Sequence, residues 1–296
     1  MTGTSLLVAD VRPKDAQAAH AESLGLSTLV DVEIGTVGLL RKRTVNMRMA
    51  FIPPGEFLMG SPEDEEGRRP NEGPLHRVGI EQGFYMGIYS VTQEQLQSVM
   101  GNRPSGVNGD ENPVEHINWY DCRTFARKLS DRCGVTFRLP TEAEWEYASR
   151  AGAGTKYHFG GDDSELDDYV WYRGNCGRRT HPVGEKRPNG WGLYDMCGNV
   201  WEWCQSLSRP YPYRADDGRE DVSAFGRRVL RGGSRDGGAA DCRSAVRIHS
   251  LPGRWRGHRG FRVVMIPLYE EIPYGPGRAA GVLPRRRSGL SGRWRS

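Results

Sequence analysis

Long hydrophobic runs are missing from this sequence. Charges or glycines interrupt every apolar stretch well short of the roughly 20 residues that a membrane span needs, and the mean hydropathy is −0.64. Cysteine is scarce: six in 296 residues are too few to staple a chain of this length, so a disulfide scaffold is excluded. Met1–Pro13 (MTGTSLLVADVRP) has neither a basic start nor a long apolar segment. No secretory leader is expected, and reduced thiols in a cytoplasmic protein follow from that. Lysine is absent after residue 226, while arginine is abundant there. From Arg227 to Ser296 there are 16 arginines and four acids, a net of +12, against 25 basic and 33 acidic groups before it, a net of −8. Such polarity has two readings: an anionic partner for the C-terminal part, or an acidic body and a basic end that neutralise each other inside one fold. Internal repeats, a G-x-S-x-G element and a Cys–His pair at catalytic spacing are all missing, which leaves no support for a hydrolase.

Local patterns predict a few regular elements. Thr92–Met100 opens with Thr92 and Gln95 at capping-box spacing and stops at Gly101. Trp119–Cys133 places Cys122, Phe125, Ala126 and Leu129 at i, i+3, i+4 and i+7, with Gly134 closing it. Thr141 and Glu144 cap a third helix that runs to Gly152, with Glu142 and Glu144 in its first turn, where the helix dipole favours acids. Val78, Ile80, Phe84, Met86 and Ile88 occupy even positions and face one side at strand geometry, with Gly83 as a bend. Leu26–Leu40 alternates well enough for one or two strands, so residues 1–45 read as an N-terminal extension. From Ala153 to Phe261 helical periodicity gives way to aromatic–glycine clusters, and the spacing alone predicts an irregular α+β domain over 46–266. Residues 267–296, rich in proline, glycine and arginine, read as a disordered tail.

Five motifs in order carry a resemblance to a known family: FIPPGEFLMGS (51–61), FRLPTEAEWEYASRAG (137–152), NGWGLYDMCGNVWEWC (189–204), RVLRGGS (228–234) and RGFRVV (259–264). Together the five motifs resemble those of the sulfatase-modifying factor family, which includes the formylglycine-generating enzyme. The resemblance implies an α+β fold of the irregular C-type lectin-like kind, with few regular elements and long loops. It also implies one of three roles: a copper-dependent oxidase acting on a sulfatase cysteine, an iron-dependent sulfur-oxidising enzyme, or a ligand-binding protein.

The oxidase needs two thiolates that share one Cu(I), a soft ion suited to sulfur. The family pattern resembles G-G-S-x-x-C-x-x-x-x-C. Here Gly232-Gly233-Ser234 leads to Gly237 at the first cysteine position and to Cys242 at the second. One thiol at most survives there, so Cys242 is the catalytic candidate only under the oxidase alternative, and Cu⁺ its cofactor. For the remaining cysteines the expectation is buried thiols, although distant ones could converge. His20, His76, His116, His158, His181, His249 and His258 contain no H-x-x-x-H pair, which disfavours the iron chemistry.

Two sets of residues remain. The family segment resembling Gly198-Asn199-Val200-Trp201-Glu202 wraps Ca²⁺, and Gly198, Asn199, Val200 and Glu202 are the metal candidates, oxygen donors of the kind calcium takes. In the other reading Asn199 turns the backbone and Glu202 pairs with an arginine. The second set lies in Arg235–Arg259, where the family places its functional surface. Arg235, Arg254, Trp255, Arg256, His258 and Arg259 are the ligand-binding candidates, since guanidinium forks and an exposed aromatic recognise carboxylates, phosphates and protein surfaces. Arg243 and Arg247 are read as internal hydrogen-bond donors. The leading expectation is a lectin-like domain that binds a protein or acidic ligand. Nucleic acid is the lesser alternative, helped only by the tail arginines Arg285–Arg287, Arg293 and Arg295.

Overall fold

Eleven short strands build the framework of the computed structural model, which describes residues 12–38, 42–106, 109–271, 282–284 and 294–295. They are β1 (Leu29–Val37), β2 (Arg43–Ile52), β3 (Gly55–Met59), β4 (His76–Ile80), β5 (Phe84–Gly87), β6 (Phe137–Arg138), β7 (Trp201–Leu207), β8 (Arg228–Arg231), β9 (Arg247–Ser250), β10 (Arg259–Gly260) and β11 (Val264–Met265). The helices are α1 (Pro13–Ser23), α2 (Gln93–Met100), α3 (Trp119–Cys133), α4 (Glu142–Arg150) and α5 (Leu166–Tyr169). An antiparallel sheet runs β1-β2-β5-β11-β6, with Trp294–Arg295 added beyond β1. A second sheet runs β10-β7-β8-β9, with β10 parallel to β7 and the other pairs antiparallel. β3 and β4 form a separate hairpin. Most of the predicted tail lies outside the described residues.

The helices follow from their caps. The Thr92 hydroxyl accepts the Gln95 N–H (3.3 Å) and the Gln95 side chain accepts the Thr92 N–H (3.1 Å), so α2 starts with two of its orphan donors satisfied. Asn118 Oδ1 caps α3 at the Asp121 N–H (3.0 Å), and the helix ends on Gly134 at φ +71. α4 stops one residue earlier than its sequence predicts. Ala151, not Gly152, takes the left-handed cap at φ +46, and its methyl is buried in the core, which offsets the strain of about 1 kcal/mol. Val78, Ile80, Phe84, Met86 and Ile88 do enter one apolar cluster, but from strands of two different sheets. Gly83 lets the chain cross the Phe51 ring; a Cβ there would lie 2.6 Å from its edge. β1 and Ala21 of α1 pack into the cluster beneath α2 and α3, so the N-terminal segment is part of the main sheet and not a separate body.

Part of the charge asymmetry of the chain is consumed inside this fold. Arg243 is fully buried and holds Glu72 (2.7 and 2.8 Å) and Glu65 (2.6 Å). Arg247 grips Glu142 through two bonds of 2.6 and 2.7 Å. Arg231 pairs with Glu146, which also takes Arg150 at 2.9 Å, and Arg262 pairs with Glu202. Each pair joins a C-terminal arginine to an acid from the first 226 residues. Burying such charges is tolerable only because every one is matched and hydrogen-bonded.

Candidate functional site

Glu202 is surrounded by protein donors. Its Oε1 accepts Ser90 Oγ (2.7 Å) and an Arg262 N–H (2.9 Å), and its Oε2 accepts Trp145 Nε1 (2.7 Å) and Arg262 Nε (2.7 Å). All four lone-pair directions of the carboxylate are occupied. Asn199 sits at φ +56, and its amide is committed to the backbone of His181 at 3.2 and 3.1 Å. Gly198, at φ +88, lets the chain pass against Trp171. The side chains of Asn199 and Glu202 thus take the turn-and-ion-pair arrangement, while calcium binding through the carbonyls of Gly198 and Val200 stays an expectation. Sequence reasoning passed over Asp195, a buried carboxylate beside this turn. Its Oδ2 accepts the Gly184 N–H (2.8 Å), its Oδ1 has no partner, and burial pushes its pKa up to about 6. No group of three or more metal-ligating side chains forms among the described residues.

Cysteines from distant positions do converge. Cys197 and Cys242 share a small cluster with Tyr157, Leu166 and Val170. Both are sealed from solvent, and burial pushes the Cys197 thiol up to about 12 and the Cys242 thiol well above its ordinary value. Reactivity follows the thiolate, so these groups are held in their least reactive form. Gly237 supplies no thiol at the other family position.

The arginine-rich segment divides into two layers. Arg254, Trp255 and Arg256 are exposed, Trp255 to 64%. Arg259, expected on the surface, is only 8% exposed and lies under the loop. Its guanidinium donates to Ser250 Oγ (2.9 Å) and to the Arg254 carbonyl (3.4 Å), and it stands over the buried Trp203 ring. No carboxylate lies within ion-pair distance of Arg254, Arg256 or Arg259 among the described residues, and Arg259 Nε has no partner. Burial, then repulsion from Arg256 and Arg254, lowers the Arg259 pKa to about 10. The loop is pinned from outside itself: the Trp119 N–H donates to the Pro252 carbonyl (2.9 Å) and the His116 N–H to the Arg256 carbonyl (3.2 Å).

Arg235 also departs from the exposed set. It forms an ion pair with Glu115, which is fully buried, and it is about nine-tenths covered. Glu115 Oε2 accepts no hydrogen bond and lies 3.7 Å from His116 Nδ1. His258 Nδ1 meets Asp236 at 2.8 Å, and burial, Arg259 and Arg235 together hold its pKa below the usual histidine value against the pull of Asp236. Glu115 and His116 were not singled out from the sequence. The signal available was an acid–base dipeptide in an apolar loop, immediately before the Asn118 cap.

The family model described as "Sulfatase-modifying factor enzyme 1-like domain" matches residues 37–266. The formylglycine-generating enzyme of Streptomyces coelicolor is 38% identical over 186 residues, covering 54% of this chain and 56% of that protein. The chaperone protein LppX of Paenibacillus barcinonensis is 33% identical over 171 residues, covering 41% of this chain and 61% of that one. The chain thus spans less than two thirds of the length of these curated relatives. Among solved structures, Treponema denticola variable protein 1 superposes with a TM-score of 0.67 at 31% identity, over 78% of this chain and 98% of that one. PvdO from Pseudomonas aeruginosa superposes with a TM-score of 0.66 at 29% identity, over 74% of this chain and 94% of that one. No described helix is long and apolar enough to cross a membrane.

Proposed function

The chain belongs to the sulfatase-modifying factor enzyme 1-like family, and from that premise we propose that it is a ligand-binding member that receives an acidic partner on the Arg254–Arg259 loop. The observation that carries this reading is the uncompensated charge there. Five C-terminal arginines are matched by acids, whereas Arg227, Arg228, Arg254, Arg256 and the buried Arg259 are not, among the described residues; Arg228 is spent on the carbonyls of Gln205, Asp221 and Ala224, which leaves the loop as the cluster of three. A buried guanidinium without a counter-ion is costly, and an anion docking on the loop would relieve that cost. Trp255 adds an exposed aromatic of the type that dominates protein-binding surfaces. The oxidase alternative is not favoured by Cys242, whose thiol a substrate cannot reach without opening the cluster around Tyr157.

The test is a binding titration with a fluorescent hexaglutamate peptide at low and moderate salt. Binding that weakens with salt and is lost in Arg254→Ala/Trp255→Ala, with an unchanged melting temperature, supports the reading. Unchanged binding in that double variant refutes the surface assignment.

A further inference from the structure

Beneath the exposed loop lies a second polar layer with unspent nitrogen atoms. Arg235 spends one terminal nitrogen on Glu115; its other, Nη2, has no protein acceptor among the described residues, and neither His116 Nε2 nor His258 Nε2 has a partner there. Gly257 lies among these groups. A Cβ built on it would sit 3.0 Å from His116 Nε2 and 3.3 Å from Arg235 Nη2, so glycine leaves both nitrogens facing the same small space. The backs of the groups are fixed. Glu115 holds Arg235 and faces His116, and Asp236 holds His258 at 2.8 Å. His116 takes a left-handed backbone at φ +51, with its side chain 47% exposed.

We propose that Arg235, His116 and His258 form a carboxylate-receiving subsite over Gly257, so that the partner of this surface is an acidic polypeptide. The proposal rests on the loop's being the binding surface. Counting Arg235 and Arg259 against Glu115 and Asp236, the subsite is about neutral with neutral imidazoles and about +2 with both protonated, so an anion is held most strongly in the protonated state. A carboxylate carries one charge and stays ionised above its ordinary pKa near 4, so it matches this charge across that range. The groups facing His116 are Glu115 and Arg235; those facing His258 are Asp236, Arg235 and Arg259. A docked anion favours the protonated imidazoles, so binding takes up protons and must tighten as pH falls. One proton taken up gives up to about a tenfold change in affinity per pH unit.

The experiment titrates the full chain with fluorescent hexaglutamate at pH 7.5 and pH 5.5, beside a thymidine oligonucleotide of equal charge. The expected result is at least about tenfold tighter peptide binding at pH 5.5. His116→Gln/His258→Gln should flatten the pH profile, and Gly257→Ala should weaken binding at pH 5.5 most. Binding with no pH dependence, or a profile untouched in the double histidine variant, overturns the subsite and leaves the loop assignment standing. Tighter binding of the oligonucleotide overturns the carboxylate class, and no peptide binding at either pH overturns both readings.

Discussion

Glu202→Gln separates an ion pair from a cation site. In the native protein Glu202 takes four hydrogen bonds, two of them from Arg262, with both side chains buried. Glutamine keeps one acceptor oxygen and replaces the other with a donor, which then faces N–H groups of Arg262 and Trp145 or the Ser90 hydroxyl. It also leaves the Arg262 guanidinium buried without its counter-charge. Removing one partner of such a pair costs about 3–5 kcal/mol. At roughly 2–4 °C per kcal/mol for a chain of this size, the melting temperature should fall by roughly 6–20 °C, read by circular dichroism with a parallel urea titration. Arg262→Met in the Glu202→Gln background removes the stranded charge and should restore part of the loss, a coupling of about 2 kcal/mol in the double-mutant cycle. Excess EDTA should leave the wild-type transition in place. The reasoning is refuted if EDTA lowers the wild-type melting temperature as far as the substitution does while Glu202→Gln no longer responds to it, because Glu202 would then hold a cation.

Two further outcomes follow from buried groups. His158 packs edge-on to Phe159 and Tyr169, and burial lowers its pKa to about 4. As pH falls below 6.5 the unfolded chain takes up this proton first, so the stabilisation is complete above 6.5 and is lost toward pH 4; His158→Phe should remove up to about 3 kcal/mol from the acid-side slope in urea titrations. A peptide carrying the C-x-P-x-R sequence, incubated with the protein, Cu(I) and oxygen, should keep its thiol by mass spectrometry, because Cys197 and Cys242 are sealed in one cluster. Aldehyde formation that disappears in Cys242→Ser would overturn the binding-protein reading.

What the sequence made legible was local. The caps at Thr92 and Thr141 act over three residues, and α2 and α4 begin where those side chains predict, while α3 follows its apolar spacing. The apolar positions from Val78 to Ile88 and the buried thiols follow from composition at short range. The partners that decide the candidate site are remote: Glu115 lies 120 residues from Arg235, and Glu142 lies 105 from Arg247. No spacing rule links such positions. Arg243 and Arg247 could be read as internal from their repeated pattern, whereas Arg259 could not, because its burial depends on a loop closing over it from Leu251 onward. α1 also escaped notice, since its hold on the core is a few scattered contacts: Gln17 Nε2 to the Phe51 carbonyl at 2.6 Å, Trp191 Nε1 to the Pro13 carbonyl at 3.2 Å, and the buried Ala21.

The same distance argument explains why net charge along the chain misleads about partners. A basic C-terminal segment suggests an anionic ligand only if its arginines reach the surface. Here the strands and turns that carry Arg231, Arg243, Arg247 and Arg262 deliver them to buried acids, and that part of the apparent basicity is spent on folding. What remains is set by geometry: the Leu251–His258 segment leaves the sheet, so Arg254 and Arg256 meet no acid, and Arg259 is trapped at its base. Arg235 sits between the two classes, paired with Glu115 yet keeping one terminal nitrogen free. An arginine in that intermediate state costs the free protein little and still offers a directed donor to a ligand. On the proposed reading, Arg235 is therefore the residue at which the folding role and the binding role of this basic segment meet.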